Sequence, residues 1–171
     1  DATFHPTEKQ RARIPKLYQY KKGKLKDVTG KKSDLNAIGH IGPKYTSGSA
    51  GLYATLEDYD RFVQMLANEG ELDGARILQP ETVRQMHAEG ANEHLEFQPG
   101  LTWGLGMLIR QDPEKAHSFV RQGTYGWSGH FGTHFFISPA DHLSVVFAMN
   151  RADVGGADSY ISKRLEELVF E

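Results

Sequence analysis

The stretch GWSGHFGTHFFISPADHLSVVFAMN, residues 126–150, decides the fold because its apolar residues follow the two-residue period of a strand. In its first half, one face carries Phe131, Thr133, Phe135 and Ile137. The SPAD segment (138–141) predicts a proline-led turn, and LSVVFAM then predicts a second strand that is apolar on both faces. The stretch therefore predicts an antiparallel sheet that contains residues 131–138 and 142–149.

Upstream of these two strands, the segment LTWGLGMLI (residues 101–109) also has a period of two. It predicts one strand with a bulky face and a face smoothed by glycine. The bulky face would hold Leu101, Trp103, Leu105, Met107 and Ile109. The residues before it, 89–100, are predicted to form a loop.

Helical spacing occurs in three places. In TLEDYDRFVQMLANEG, Thr55 and Asp58 resemble a capping box, and Gly70 would supply a left-handed C-terminal cap. Pro80 opens a shorter predicted helix that runs through about His87. From about residue 158 to 169, an apolar stripe opposite charged residues predicts a terminal helix that covers the sheet; the stripe is Ile161, Leu165, Leu168 and Val169. The predicted fold class is α+β.

Composition restricts the function classes. The chain has 171 residues, 39% hydrophobic and 25% charged, with a net charge of −2 and no cysteine. This balance disfavours nucleic-acid and membrane partners, and the missing thiols exclude thiolate catalysis, disulfides and thiolate metal sites. The lysine run KKGKLK (residues 21–26), with two further lysines at 31 and 32, is either a binding patch or the solvated tip of a hairpin around Gly23. No signal in the sequence fixes the compartment, which could be periplasmic, secreted or cytoplasmic.

The order of the segments resembles that of a known family. The runs GLYATLEDYDRFVQMLANEGELDGARILQPETVRQM, GLTWGLGM and GWSGHFGTHFFISPADHLSVVFAMN, followed by a final helix, are similar to the C-terminal part of class C β-lactamase-like serine hydrolases. That superfamily includes β-lactamases, DD-peptidases and esterases. The resemblance covers nearly the whole chain and implies a single partial domain over residues 1–171. Within it we expect a loop and hairpin region at 1–50, a helical region at 51–90, and the sheet and terminal helix at 100–171.

The resemblance also implies a set of site residues. The family's third active-site motif, K-T-G or H-T-G, matches Trp127, Ser128 and Gly129. By the same match, the backbone N–H of His130 would be one donor of an oxyanion hole. Trp127, Ser128, Gly129 and Tyr125 would then bind substrate, with the aromatic rings forming walls of the cleft. A plainer interpretation is that Trp127 and Tyr125 only pack in the sheet.

Two motifs of the family are missing from the chain. No serine is followed by lysine at the third position, so the S-x-x-K nucleophile is absent, and so is the proton-transferring Y-x-N. Tyr45-Thr46-Ser47 has a similar shape to Y-x-N but lies too late in the family's order, and Ser47 and Ser49 do not fit the nucleophile elbow G-x-S-x-G. We therefore expect the chain to be a C-terminal fragment that is inactive alone.

Several functions remain open at this point. Trp127 provides neither the cation nor the proton donor of the usual motif, which favours an esterase or another small acyl hydrolase over a true β-lactamase. The alternative is a non-catalytic module, similar to a penicillin-binding protein, that binds peptidoglycan-type peptides or a protein partner. No cofactor or metal is implied, because His130 and His134 lie on a predicted strand at a spacing that sets no ligand geometry. The expected partner is a small acyl substrate, with self-association through an open sheet edge at residues 143–149 as a further expectation.

Overall fold

The computed structural model of the protein describes residues 1–30, 46, 48, 51–88, 96–156 and 158–171. In this part of the chain no helix is long and apolar enough to cross a membrane. The helices, in chain order, are α1 (Glu8–Arg11), α2 (Leu56–Ala67), α3 (Pro80–Met86) and α4 (Tyr160–Phe170). The strands are β1 (Tyr18–Lys21), β2 (Lys24–Asp27), β3 (Glu71–Leu72), β4 (Ala75–Arg76), β5 (Glu96–Gln98), β6 (Leu101–Trp103), β7 (Leu108–Arg110), β8 (Tyr125–Ser128), β9 (His134–Ser138), β10 (Leu143–Phe147) and β11 (Arg151–Ala152).

The central element is a six-stranded antiparallel sheet with the order β10-β9-β8-β7-β6-β5. Strands β9 and β10 are adjacent and antiparallel, with Phe136 opposite Val145, so the predicted strand pair and the α+β class are confirmed. Both strands are shorter than predicted. Residues 131–133 belong to the turn between β8 and β9, and Pro139–Asp141 form one turn of 3-10 helix.

Helices cover the two faces of this sheet. On one face, α2 and α3 bury an apolar cluster against β7, β8 and β9; its fully buried members include Val63, Leu66, Val83, Ile109, Tyr125, Phe135 and Ile137. Burial at roughly 25 cal/mol per Å² of apolar surface makes such a cluster the main source of stability. On the other face, α4 packs on the sheet, with Phe170 beside Phe136 and Glu166 bonded to Arg110.

The prediction of one continuous strand at residues 101–109 is wrong. The segment folds back between β6 and β7, which pair with each other so that Trp103 lies opposite Leu108. Gly106 has a φ of +78°, and Gly104 donates its N–H to the carbonyl of Met107 over 2.8 Å. The sequence pattern predicts that Gly104 and Gly106 form a smooth strand face, but they lie in the turn between β6 and β7. Glycine suits position 106 because it reaches positive φ without a steric penalty. Trp103 and Ile109 therefore lie on opposite faces and not on one.

Helix α4 exists close to its predicted bounds, but its predicted orientation is wrong. The residues that it buries are Ser162 and Glu166, whereas Leu168 and Val169 of the predicted apolar stripe are exposed at 53% and 37%. The reason lies on the sheet. Arg110 is buried at 4% exposure and needs a carboxylate partner, which Glu166 provides from the helix.

The other local predictions have mixed outcomes. The Thr55–Asp58 capping box, the helix that begins at Pro80 and the hairpin around Gly23 are confirmed. The loop prediction is wrong for residues 96–98, which form β5 beside β6, whereas residues 89–95 lie outside the described part of the chain. Tyr45, Ser47 and Ser49 also lie outside it.

The hairpin of β1 and β2 is joined to the rest of the molecule by β11. Strand β11 pairs in parallel with β1, so Tyr18 lies opposite Arg151 and the three strands form a second small sheet. Since β11 closely follows β10 in the chain, this pairing holds the N-terminal segment beside the end of the central sheet. The cleft described below is lined by residues outside these strands, among them Leu17 just before β1 and residues 148–150 between β10 and β11.

Gly70 ends α2 in a position that only glycine fits. Its φ is +93°, and an added Cβ would lie 2.3 Å from the carbonyl oxygen of Leu78. Gly74 has a similar φ of +77° but open space around it. We expect G74A to lose about 1–2 kcal/mol of unfolding free energy from the left-handed backbone alone, and G70A to lose about 2–4 kcal/mol because overpacking is added. Urea denaturation measures both, and equal losses would contradict the close-contact explanation.

Candidate active site

A tight turn follows the matched motif at the end of β8. Gly129 donates its N–H to the carbonyl of Thr133 over 2.8 Å, and Gly132 donates to the carbonyl of Gly129 over 3.2 Å. A Cβ on Gly129 would lie 2.1 Å from Oγ1 of Thr133, so this position requires glycine unless the threonine moves. The turn is therefore narrow, and His130 and Phe131 lie at its tip.

His130 lines a cleft of about 560 Å³. The walls come from the N-terminal segment, residues 51–56, residues 148–150 and the turn; the turn supplies Gly129, His130, Phe131 and Thr133. The His130 ring is exposed. Within the described part of the chain, the backbone N–H of His130 makes no hydrogen bond. A backbone donor without an internal partner beside a cleft is suited to binding an oxygen atom of a ligand.

Trp127 and Tyr125 occupy different environments. The ring of Trp127 is half-buried, and its centroid lies 4.6 Å from that of Trp103. Tyr125 is only 2% exposed, its ring stacks on His87 at 4.1 Å, and burial raises the pKa of its hydroxyl to about 12. Neither residue is among those that line the cleft. For Tyr125 the geometry favours the packing interpretation over contact with substrate.

Ser128 points into the protein and not into the cleft. It is 7% exposed, and its Oγ lies 2.7 Å from Nδ1 of His134, the residue opposite it on β9. His134 is itself buried, whereas the His130 ring is exposed, so the two histidines do not share an environment. Across the described residues no group of three or more histidine, aspartate or glutamate side chains is arranged to hold a metal ion.

A buried carboxylate lies behind this serine and histidine. Oε1 of Glu166 is 3.4 Å from Nε2 of His134, within ion-pair range but without hydrogen-bond geometry. The same carboxylate accepts hydrogen bonds from Arg110 over 2.5 Å and from Ser118 over 3.0 Å. Burial alone would raise the pKa of Glu166, but these contacts with His134, Arg110 and Ser118 hold it below its usual value.

Sequence reasoning missed this cluster. Glu166 is one of the charged residues that the helical spacing places opposite the predicted apolar stripe, and Arg110 has no predicted role. The available signal was an arginine that ends the apolar run MLIR, since an arginine in a buried strand requires an acidic partner. That signal does not identify the partner, which comes from a helix 56 residues further along the chain.

The comparison with family models agrees with this architecture. The Beta-lactamase family model matches residues 1–168, which is nearly the whole chain. The chain belongs to the β-lactamase family. The resemblance inferred from the motif order is thereby confirmed.

Individual relatives are similar over a part of their length. Esterase EstB from Burkholderia gladioli is 33% identical over 119 residues, which are 65% of this chain and 27% of EstB. Protein Rv1367c from Mycobacterium tuberculosis (strain ATCC 25618 / H37Rv) is 31% identical over 116 residues, 61% of this chain and 29% of that protein. The solved structure of EstCE1, described as a hydrolase with promiscuous acyltransferase activity, superposes with a TM-score of 0.78 at 22% identity, over 99% of this chain and 46% of EstCE1. The chain thus covers less than half of each of these proteins.

We predict that E166Q loses about 3–5 kcal/mol of unfolding free energy at neutral pH, because it leaves the Arg110 charge buried without an ionic partner. The neighbour variant E167Q, whose side chain is 30% exposed and pairs with Arg164, is the control and should lose less than about 1 kcal/mol. The pKa of Glu166 is lower in the folded than in the unfolded chain, so its stabilisation is present above the ordinary value of 4.5 and is lost as the pH falls further. Urea denaturation at several pH values should show the gap between wild type and E166Q closing in acid. A constant gap would contradict this assignment.

Proposed function

We propose that the chain supplies the third-motif strand and one oxyanion-hole donor of a serine acyl hydrolase of the β-lactamase family. The observation that carries the proposal is the backbone N–H of His130, which has no partner among the described residues and belongs to a residue that lines the 560 Å³ cleft. In this role Gly129, which has no side chain, leaves room for the acyl group to approach the backbone. Trp127 and Ser128 support the strand, and Tyr125 packs behind it.

The chemistry of acyl transfer explains why an N–H is needed at this place. When a serine attacks the carbonyl carbon, negative charge develops on the carbonyl oxygen, and a donor fixed in advance stabilises it. One such donor contributes about 2.7–4 kcal/mol to the barrier. The attacking serine and its base are not among these 171 residues, which contain neither S-x-x-K nor Y-x-N. We therefore propose that the 171 residues are inactive by themselves.

An uncharged acyl ester is the substrate class that we favour over a β-lactam. A β-lactam carries a carboxylate, and Trp127 offers no cation to receive it. Among the described residues that line the cleft, the one cationic side chain is Arg13, which lies 2.6 Å from the Asp1 carboxylate. The name of the relative EstB as an esterase points the same way.

The alternative is a non-catalytic module that uses the same cleft to bind a peptidoglycan-type peptide or a protein partner. The absence of S-x-x-K from these 171 residues fits this alternative as well as it fits the hydrolase. The coding sequence upstream separates the two proposals, because an S-x-x-K followed by a Y-x-N would support the hydrolase and their absence would support the binding module.

For the hydrolase, we predict that the 171-residue chain cleaves neither a chromogenic cephalosporin nor a short-chain nitrophenyl ester, whereas a longer product of the gene with both motifs cleaves the ester. In that longer protein H130P should lower kcat by about 100- to 1,000-fold, since proline removes the N–H. H130A is the matched control and should stay close to wild type because it keeps the N–H. Equal activity of H130P and H130A would exclude the His130 N–H from the reaction.

We also propose that the isolated chain self-associates through β10. This strand is at the end of the central sheet, and no strand pairs with its other side within the described part of the chain. Residues 143–149 contain no charge, proline or glycine, which are the devices that normally protect a sheet edge.

We expect V145K to weaken this association at least about tenfold, because a lysine on an edge strand opposes the pairing of a second strand. L168K places the same charge on the exposed part of α4 and serves as the control. Sedimentation velocity measures both. A monomeric wild type at high micromolar concentration would contradict the proposal, and a larger effect of L168K would assign the contact to the helix.

A further inference from the structure

A buried series of polar contacts connects the terminal helix to the strand that carries the third motif. It runs from Glu166 through His134 to Ser128, with separations of 3.4 and 2.7 Å. The Glu166 carboxylate also accepts hydrogen bonds from Arg110 and Ser118. Glu166, His134 and Ser128 are 1%, 6% and 7% exposed, so bulk water does not compete for these contacts.

For a neutral His134, the donors and acceptors of this series allow one placement of protons. An ionised carboxylate only accepts, so the His134 nitrogen that faces Glu166, Nε2, carries the hydrogen. In a neutral imidazole the other nitrogen, Nδ1, is then an acceptor, and the Ser128 hydroxyl donates to it. With Arg110 positive and Glu166 negative, a neutral His134 leaves the cluster without net charge.

The serine and histidine of this series lie at the base of the turn that carries His130. They are directly opposite each other, as the last residue of β8 and the first residue of β9. The next hydrogen bond along the chain, from Gly129 N–H to the Thr133 carbonyl, closes the turn. The carbonyl of Gly129 also accepts the N–H of Gly156 over 3.1 Å. A change in the Ser128–His134 contact therefore acts on the turn first.

We infer that Glu166, His134 and Ser128 form a positioning relay for the oxyanion turn. The carboxylate on α4 selects the imidazole tautomer, the imidazole orients the Ser128 hydroxyl, and this contact fixes the spacing of β8 and β9 where the turn begins. These three are positioning residues and not catalytic ones, because none of them lines the cleft. The inference rests on the proposed function only for the role of the His130 N–H as an oxyanion donor. The coupling between Ser128 and the turn is measurable without any hydrolysis.

Two other interpretations make different predictions. If the series is only a buried polar packing contact, removing the Ser128 hydroxyl lowers global stability without a local effect on the turn. If Ser128 is instead a nucleophile activated by His134, a fluorophosphonate probe labels it. Its burial and the direction of its hydroxyl toward His134 oppose that second interpretation.

The first measurement is the tautomer of His134 by nitrogen NMR of histidine-labelled chain. We expect the Nε2–H tautomer in the wild type and in E167Q, and a mixed tautomer in E166Q. Because E166Q is destabilised, S118A is a second variant, which removes one hydrogen bond to the carboxylate and leaves the Arg110 charge paired. It should shift the His134 signals in the same direction by a smaller amount. A wild-type Nδ1–H tautomer, or His134 signals indifferent to Glu166 and Ser118, would overturn the relay.

The second measurement is amide hydrogen exchange on S128A, with S128T as the rescue variant and S144A as the matched control. Ser144 is on the neighbouring strand β10 and makes no side-chain hydrogen bond among the described residues. We expect S128A to speed exchange at the Gly129, Gly132 and Gly156 amides by about 5- to 30-fold, as for a loss of about 1–2 kcal/mol. The β3–β4 amides should keep their rates, and S128T should restore the turn.

Equal effects of S128A and S144A, a uniform acceleration over the whole chain, or stoichiometric fluorophosphonate labelling of Ser128 would each overturn the relay. These outcomes are separate from the proposed function. Loss of the relay leaves the His130 N–H available as an oxyanion donor, and failure of the longer protein to hydrolyse esters leaves the local coupling between Ser128 and the turn unchanged.

Discussion

The buried ion pair between Arg110 and Glu166 is the constraint on which the packing of the sheet face depends. The two side chains are 5% and 1% exposed, and each would be costly to bury alone. Because Arg110 is fixed in β7, the carboxylate has to come to it, and this sets the rotation of α4. The helix thus turns Ser162 and Glu166 inward and leaves Leu168 outside, against its own hydrophobic pattern.

That rotation has a consequence for the third-motif strand. With Glu166 held at Arg110, the same carboxylate reaches His134 on β9, and His134 in turn contacts Ser128 on β8. A single ion pair therefore connects a helix at the end of the chain with two neighbouring strands and the turn between them. The opposite face of the sheet is held by apolar burial under α2 and α3, which is not directional. On the face under α4, the buried ion pair adds a directional contact to apolar contacts such as that of Phe136 with Phe170.

The sequence predicts the parts of this fold that depend on local periodicity. The strand pair around the SPAD segment, the helix after Thr55 and the helix at Pro80 follow from spacing and capping residues, and the structure has all three. Sequence-based prediction fails where a contact with a residue far along the chain determines the local structure. The glycines of 104–106 fit a smooth strand face as well as a turn, and the burial of Glu166 depends on an arginine in another element. The turn at residues 129–133 was not predicted, and no local pattern revealed the residues that support it.

Trp127 distinguishes this candidate site from the usual third motif of the family. The third motif implied by the resemblance has lysine or histidine at the position that Trp127 occupies in this chain. Here the ring at that position packs against Trp103, and His134, which contacts Ser128, lies on the opposite face of β8 from Trp127. Under the proposed function, the His130 N–H in the cleft would stabilise negative charge that develops on an acyl oxygen, whereas Trp127 offers no cation to a permanent anion. For that proposal, the missing motif cation is the physical reason to expect neutral esters in preference to substrates with a carboxylate.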